Sequence, residues 1–215
     1  MNSPRSNLGR GRWVFLVLSL VGSPLLAHCS SELGISPTES LETRSSGLGA
    51  FNVLTRSYNN QRTGANLSET LLNQSNVNAR QFGKLFQLPV DDEVYAQVLY
   101  ASGVTINGAA RNVIYVATVN NTVYAFDADA PGAPLWQRNF NGAGRAPRNY
   151  EVANGTACSR YYRDFAGNIG IVGTPVIEPV SGTLFFVTRT LESEQMRYYL
   201  RAVSIVSGAE RSGSP

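Results

Sequence analysis

The densest group of side chains that could bind a ligand lies in a Gly-, Asn- and Arg-rich segment, residues 141–168. Its arginines and tyrosines are Arg145, Arg148, Tyr150, Arg160, Tyr161, Tyr162 and Arg163. Arginine offers a rigid fork of donors to anions, and tyrosine combines an aromatic face with a hydroxyl. Because long connections in compact domains are often functional, the segment predicts a loop for an anionic or sugar-like ligand or a protein partner. A tolerated surface insertion is the alternative.

Few other residues could carry catalysis. His28 is the only histidine and precedes the expected start of the mature chain, which would then lack an imidazole base, a Ser-His-Asp triad and a Cys/His zinc site. The run Asp91-Asp92-Glu93 offers oxygen ligands of the kind that calcium takes, but we interpret it as a solvated turn. We therefore expect no metal site and name no catalytic residue. These residues leave open whether the protein is an enzyme.

The N-terminus has the three parts of an export signal. Arg5, Arg10 and Arg12 precede a short apolar stretch, residues 14–21, which is followed by Gly-Ser-Pro and then Leu-Leu-Ala-His-Cys, residues 25–29. The stretch is shorter than the roughly 20 residues of a membrane span, so it predicts a cleaved signal peptide over residues 1–28.

Cys29 stands at the expected processing site. The residues Leu26-Ala27-His28-Cys29 resemble the lipobox of bacterial lipoproteins, in which the cysteine is acylated and becomes the new N-terminus. By that resemblance a lipid on Cys29 would attach the protein to a membrane, and soluble export is the alternative. Either route places the protein in the periplasm or envelope, or outside the cell. We expect Cys158, the remaining cysteine, to be unpaired.

The charge excludes one class of partner. The formal charge is +3 at pH 7, but three of the 18 basic side chains belong to the predicted signal, so a mature chain would balance its 15 acidic ones. Affinity for a phosphate backbone comes largely from clustered Lys and Arg. We therefore expect no nucleic-acid partner.

A strand unit occurs twice in the chain. Its strands are expected at residues 113–119 and 122–127, and again at 184–190 and 199–205. A tight Asn120-Asn121 turn joins the first pair, and Ala125-Phe-Asp127 aligns with Ala202-Val-Ser204. Repeated β units indicate a propeller, solenoid or array, because one unit alone cannot bury its apolar face. The sequence therefore predicts an all-β fold.

With additional strands, each unit is expected to reach four antiparallel strands, which is the number in one propeller blade. The additional strands are expected at residues 95–106 and 135–140 in the first unit, and at 173–179 and after 207–211 in the second. A ring typically takes four to eight blades, so we predict an incomplete propeller, either a fragment of a longer protein or a chain that finds its missing blades elsewhere. Open sheet edges would then associate with other chains.

A signature follows the third strand of the first unit. Ala125-Phe-Asp127 continues to Gly132 and Trp136, and this order resembles the repeated signature of quinoprotein-type (PQQ-like) β-propellers. The resemblance implies that Trp136 packs between adjacent blades and that Asp127 ties down the turn. The docking residues would then be Ala125, Asp127, Gly132 and Trp136. The second copy keeps a glycine at Gly208.

A second match lies in residues 57–72, which resemble the N-terminal arm of quinoprotein dehydrogenases. In that family the arm leads into a strand that completes the last blade, and residues 83–90 would be that closing strand. The expected boundaries are a linker at 29–50, arm and closing strand at 51–94, a blade at 95–140, the long loop at 141–168 and an incomplete blade at 169–215.

The expected function is that of an exported envelope propeller, a binding or scaffold module that presents inter-blade loops to a protein partner or small ligand. The alternative implied by the resemblance is the N-terminal part of a quinoprotein oxidoreductase that uses pyrroloquinoline quinone (PQQ) and Ca²⁺. Several members of that family carry an adjacent cysteine pair, which this sequence lacks. Cofactors are therefore assigned only under that alternative.

Overall fold

The computed structural model describes residues 51–152 and 165–215, which form two antiparallel β-sheets and one helical turn, α1 (Asn149–Val152). The predicted signal peptide and linker, with Cys29, Cys158 and the run from Arg160 to Arg163, lie outside the described residues. The prediction of an all-β fold is confirmed. Within the described part, the two sheets do not close a propeller ring.

The first sheet has five strands, which neighbour one another in sequence order. They are β1 (Asn52–Val53), β2 (Leu99–Ile106), β3 (Ala109–Ala117), β4 (Thr122–Asp127) and β5 (Trp136–Asn139). Asn107 and Gly108 join β2 to β3 with φ values of 51° and 79°, the left-handed pair that a two-residue hairpin turn requires. In the predicted turn between β3 and β4, Asn121 takes the positive φ, 59°.

The second sheet has three strands, β6 (Val176–Glu178), β7 (Thr183–Glu192) and β8 (Gln195–Ser204). β7 and β8 extend beyond their predicted ends because only Ser193 and Glu194 separate them, with φ values of 46° and 63°. No strand follows β8 among the described residues, and residues 207–211, which precede the expected fourth strand, contain one isolated bridge, between Val203 and Glu210.

Residues 83–90, the predicted closing strand, pair with no strand among the described residues. The partner strands expected for this segment are not among residues 51–152 and 165–215, so its closing role stays a prediction. Within the described part, Leu88 and Val90 pack against the outer face of the first sheet, on Val116, Tyr124 and Phe126. The strand that begins this sheet is β1, which pairs with β2.

The main core lies between the two sheets. The first sheet and the turn after it contribute Leu99, Tyr115, Val123, Ala125, Trp136 and Phe140, and the second contributes Ile177, Leu184, Phe186 and Val203. Phe140 meets Phe186 edge to face, with ring centroids 5.0 Å apart. Alternation along β7 sends Leu184, Phe186 and Thr188 into this interface and the intervening residues to the opposite face.

Candidate binding loop

The first stem of the loop at residues 141–168 is tied to the end of β7. Arg145 and Leu191 exchange two backbone hydrogen bonds, with N–O distances of 3.3 Å from Arg145 N and 2.8 Å from Leu191 N. The next two residues, Ala146 and Pro147, are buried. The loop therefore leaves the second sheet from a fixed position.

The second stem is paired to the first. Asn149 N donates to Gly167 O at 2.9 Å, and Ile169 N donates to Pro147 O at 2.8 Å. Gly170 N then donates to Val119 O at 2.7 Å, which fastens the stem to the turn between β3 and β4. Both ends of the loop are thus anchored, one on each sheet.

A charge clamp closes the base of the loop. The Arg145 guanidinium contacts the Glu151 carboxylate through both terminal nitrogens, and Glu151 also accepts the backbone N–H of Arg148. The hydrogen bonds from Arg145, with support from the Arg148 N–H, lower the pKa of Glu151 to about 2. The clamp is therefore fully ionised at neutral pH. It also occupies the guanidinium of Arg145, one of the predicted ligand-binding residues.

The remaining predicted loop residues divide into two groups. Tyr150, in α1, is 60% exposed, and Arg148 is exposed beside it. These two side chains are free to meet a partner at the surface, whereas Arg145 holds the loop together. Arg160, Tyr161, Tyr162 and Arg163 lie outside the described residues.

The acidic run Asp91-Asp92-Glu93 contacts the β3–β4 turn and the second loop stem. The Asp91 carboxylate accepts hydrogen bonds from Thr118, Asn120 and Thr122 of the β3–β4 turn. Burial opposes ionisation of Asp91, but these hydrogen bonds outweigh it and lower its pKa. Asp92 accepts the side-chain amide of Asn168 at 2.7 Å. The run therefore locks the arm and the second loop stem onto the first sheet.

These contacts do not fit a calcium site, because hydrogen-bond donors already occupy the carboxylates of Asp91 and Asp92. Across residues 51–152 and 165–215, no three His, Cys, Asp or Glu side chains are grouped so as to hold a metal ion.

Asn121 is a central residue of the site that sequence reasoning assigned only to a turn. Its side chain is fully buried, and its amide nitrogen donates to Asn141 Oδ1 at 2.8 Å and to Arg189 O at 2.7 Å. A Cβ on Gly170 would lie 2.4 Å from Asn121 Oδ1, so only glycine fits there. Asn121 thus links the first sheet, the first loop stem and β7, and its turn-forming residue type is the only signal the sequence offered.

Trp136 lies between the two sheets and is 9% exposed. Its indole N–H donates to Ile205 O at 2.9 Å, and the Tyr115 hydroxyl donates to the same oxygen at 3.1 Å. Gly208, with φ 66°, faces the ring so closely that an added Cβ would lie 2.6 Å from Trp136 Cε3. The turn after β8 is therefore shaped to receive this indole.

The other signature residues have different places. Ala125 is fully buried and pairs with Trp136 across β4 and β5. Asp127 accepts the Asp129 N–H and forms an ion pair with Arg111. Gly132 is exposed, has a φ outside the left-handed region and has no atom within 4 Å of an added Cβ. The docking role of Gly132 stays a prediction, and Gly208 is a glycine that faces Trp136 directly.

Comparison with known proteins gives no relative: no family model matches the chain, and neither the curated proteins nor the solved structures contain a significant match. No helix in the described residues has both the length and the apolar composition of a membrane span.

Proposed function

We propose that the protein is an exported β-propeller-type module that binds a protein partner through the loop of residues 141–168. The observation that carries the proposal is the attachment of both ends of this loop to the sheets. Arg145 fixes one stem to β7, and Gly170 fixes the other to the β3–β4 turn. The described residues next to these attachments, Arg148 and Tyr150, are therefore presented from a fixed stem, which lowers the ordering cost of binding through them.

The exposed residues favour a protein over a small ligand. Tyr150 lies in the one-turn helix α1 and Arg148 directly precedes it, and both are exposed in the same stem as the clamp formed by Arg145 and Glu151. Tyr and Arg are the residue types that most often anchor protein interfaces, because they add large contact area together with hydrogen bonding. The alternative is that the loop binds a small anionic or sugar-like ligand.

The N-terminal residues support a location outside the cytosol. The basic start and the apolar stretch at residues 14–21 support export, with processing between Ala27 and Ser30. A lipid on Cys29 would hold the module at a membrane surface, and cleavage without acylation would release it. Intact-mass analysis of the envelope fraction distinguishes the two, and a chain that keeps Met1 and stays in the cytosol would contradict export.

Site-specific photo-crosslinking tests the binding role. A benzophenone amino acid is placed at Tyr150 in the full chain expressed in a bacterial host, and at Tyr58, another exposed tyrosine, as the matched control. We expect one discrete protein adduct from position 150 that is absent from position 58, and that weakens when Arg148→Ala is added. Identical adducts from both positions, or none from position 150, would overturn the proposal.

A further inference from the structure

The dipeptide Asn-Gly occurs at Asn107-Gly108, Asn141-Gly142 and Asn154-Gly155. In this dipeptide the glycine nitrogen can attack the side-chain carbonyl carbon of the asparagine, because glycine has no Cβ to hinder a close approach of its backbone. The structure describes the first two copies, and the third lies outside the described residues. The two described copies share a sequence but differ in environment.

The side chain of Asn107 is free at the tip of the hairpin between β2 and β3. Asn107 and Gly108 are both exposed, and the Asn107 carboxamide makes no hydrogen bond to another described residue. The turn is closed by a single pair, Ile106 with Ala109, at the end of the ladder. Opening the turn therefore disturbs little else, and the reacting carbonyl is already accessible to the glycine nitrogen and to water.

The carboxamide of Asn141 is held at both ends. Its Oδ1 accepts a hydrogen bond from Asn121 Nδ2 at 2.8 Å, and its Nδ2 donates to Asn120 O at 3.2 Å. Asn121 is fully buried and also donates to Arg189 O, so the first bond belongs to a packed contact between the two sheets. Rotation of the Asn141 side chain towards the nitrogen of Gly142 would break both bonds.

The two glycines do not distinguish the copies. Gly108 and Gly142 have φ values of 79° and 60°, and an added Cβ at either position would meet no atom within 4 Å. Neither N–H donates to a backbone carbonyl among the described residues. Both copies are also followed by alanine, at Ala109 and Ala143. The hydrogen bonds of the asparagine carboxamide are therefore the difference between them.

We propose that Asn107 is a site of spontaneous deamidation, and that the fold protects Asn141 in the same dipeptide. The Gly108 nitrogen loses its proton to a base from the solvent and bonds to Asn107 Cγ. The Cγ–Nδ2 bond then breaks and releases ammonia, which leaves a cyclic succinimide. Water opens this ring at Cγ to give aspartate, or at the backbone carbonyl carbon to give isoaspartate. Overall, water is consumed and ammonia is released, with no change of oxidation state.

Both products alter the tip of the hairpin. Each replaces a neutral carboxamide by a group that is ionised at neutral pH. Isoaspartate also adds a methylene to the main chain, which the two-residue turn with its left-handed pair has no place for. We therefore expect the pair between Ile106 and Ala109 to be lost in the isoaspartate form. The proposal does not depend on any binding by the loop of residues 141–168.

Peptide mapping by mass spectrometry tests the proposal on the full chain after incubation at mildly alkaline pH. Alkaline pH speeds the reaction because the glycine nitrogen must lose its proton. In the folded chain we expect Asn107 to convert at least about tenfold faster than Asn141, since two hydrogen bonds must break before Asn141 can react. In the chain unfolded in guanidinium chloride we expect the two rates to become nearly equal, because the protecting bonds are gone.

Equal conversion of the two copies in the folded chain, or faster conversion of Asn141, would overturn the proposal. So would an Asn107 that stays intact in the folded chain while it converts in the unfolded one. A preference for Asn107 that persists in guanidinium chloride would show that the fold does not protect Asn141.

Labelling of the folded chain with an isoaspartyl methyltransferase gives a second measurement. We expect the label in the peptide that contains residue 107, and we expect Asn107→Gln to remove it, because glutamine cyclises far more slowly than asparagine. Asn107 is exposed and its side chain has no partner among the described residues, so this variant should keep the fold. A label that survives in this peptide of the Asn107→Gln variant would contradict the assignment to Asn107.

Discussion

Gly208 controls how closely the turn after β8 can approach Trp136. Its positive φ is strained for any residue with a side chain, and its α-carbon has no room for a methyl group on the indole side. Two independent costs therefore oppose substitution at this one position. The indole it faces is also fixed by the hydrogen bond to Ile205 O.

Gly208→Ala is expected to lower the free energy of unfolding by about 1–3 kcal/mol, the usual cost of overpacking, with a further contribution from left-handed strain. Gly132→Ala is the matched control and should be nearly neutral, because an added Cβ at Gly132 meets no atom within 4 Å. Urea denaturation of the two variants gives the comparison. Equal losses in both would contradict the docking role of Gly208.

The clamp between Arg145 and Glu151 gives the loop base a defined pH dependence. The folded-state pKa of Glu151, about 2, lies below its ordinary value of 4.5. A depressed carboxyl pKa contributes stability above the ordinary value, and this contribution is lost as the pH falls from about 4.5 to about 2.

Glu151→Gln is therefore expected to melt below wild type at pH 7, and the difference in melting temperature should shrink to zero towards pH 2. Thermal unfolding of both proteins at a series of pH values measures this difference in melting temperature. The other acidic groups are present in both proteins, so their effects on the melting temperature cancel in the difference. A gap that stays constant down to pH 2 would show that the clamp does not form. A gap that widens in acid would contradict the direction of the pKa shift.

At the scale of single residues, the sequence identified those whose type is rare or clustered. Trp136 stood out through its signature, and Tyr150 and Arg148 through the Arg and Tyr content of the loop. Asn121 was not separable from an ordinary turn residue, because its role depends on β7 and the loop stem meeting there. That meeting is a tertiary contact between residues far apart in sequence.

At the scale of elements, the turn between β7 and β8 departs most from what local sequence predicts. Ser193 and Glu194 both adopt positive φ, although neither residue type favours the left-handed region. The sequence reasoning accordingly ended both strands early. The long ladder from Thr183 to Glu192 holds the turn in place despite this local cost.

Replacing Ser193-Glu194 by Asn-Gly, the pair already present at Asn107-Gly108, should stabilise the protein by about 0.5–2 kcal/mol. Asn-Gly is the preferred pair for a two-residue hairpin with both φ values positive. Urea denaturation of the double variant measures the change. Destabilisation would show that the turn has a different geometry in solution.

Alternation of apolar residues predicted most of the strands because each sheet buries one face against the other. The same pattern occurs at residues 83–90, where Leu88 and Val90 cover a sheet face and pair with no described strand. A half-buried segment that lies on a sheet and one that pairs within it share the same period. Only the position of a partner strand separates them.

At the scale of the whole molecule, the account rests on the two sheets being one packed unit with Trp136 at its centre. This unit carries the proposed binding loop, since the loop stems attach to both sheets. If the sheets separated independently, the loop would have no fixed position. Cooperative unfolding of small domains provides the means to distinguish the two cases.

The most direct test follows the fluorescence of Trp136 during urea unfolding of a Trp13→Phe variant, in which Trp136 is the only tryptophan. The fluorescence reports separation of the sheets, and far-ultraviolet circular dichroism of the same samples reports loss of the strands. We predict that the two transitions coincide at one urea midpoint. Exposure of Trp136 at a lower urea concentration than the loss of strands would contradict the account.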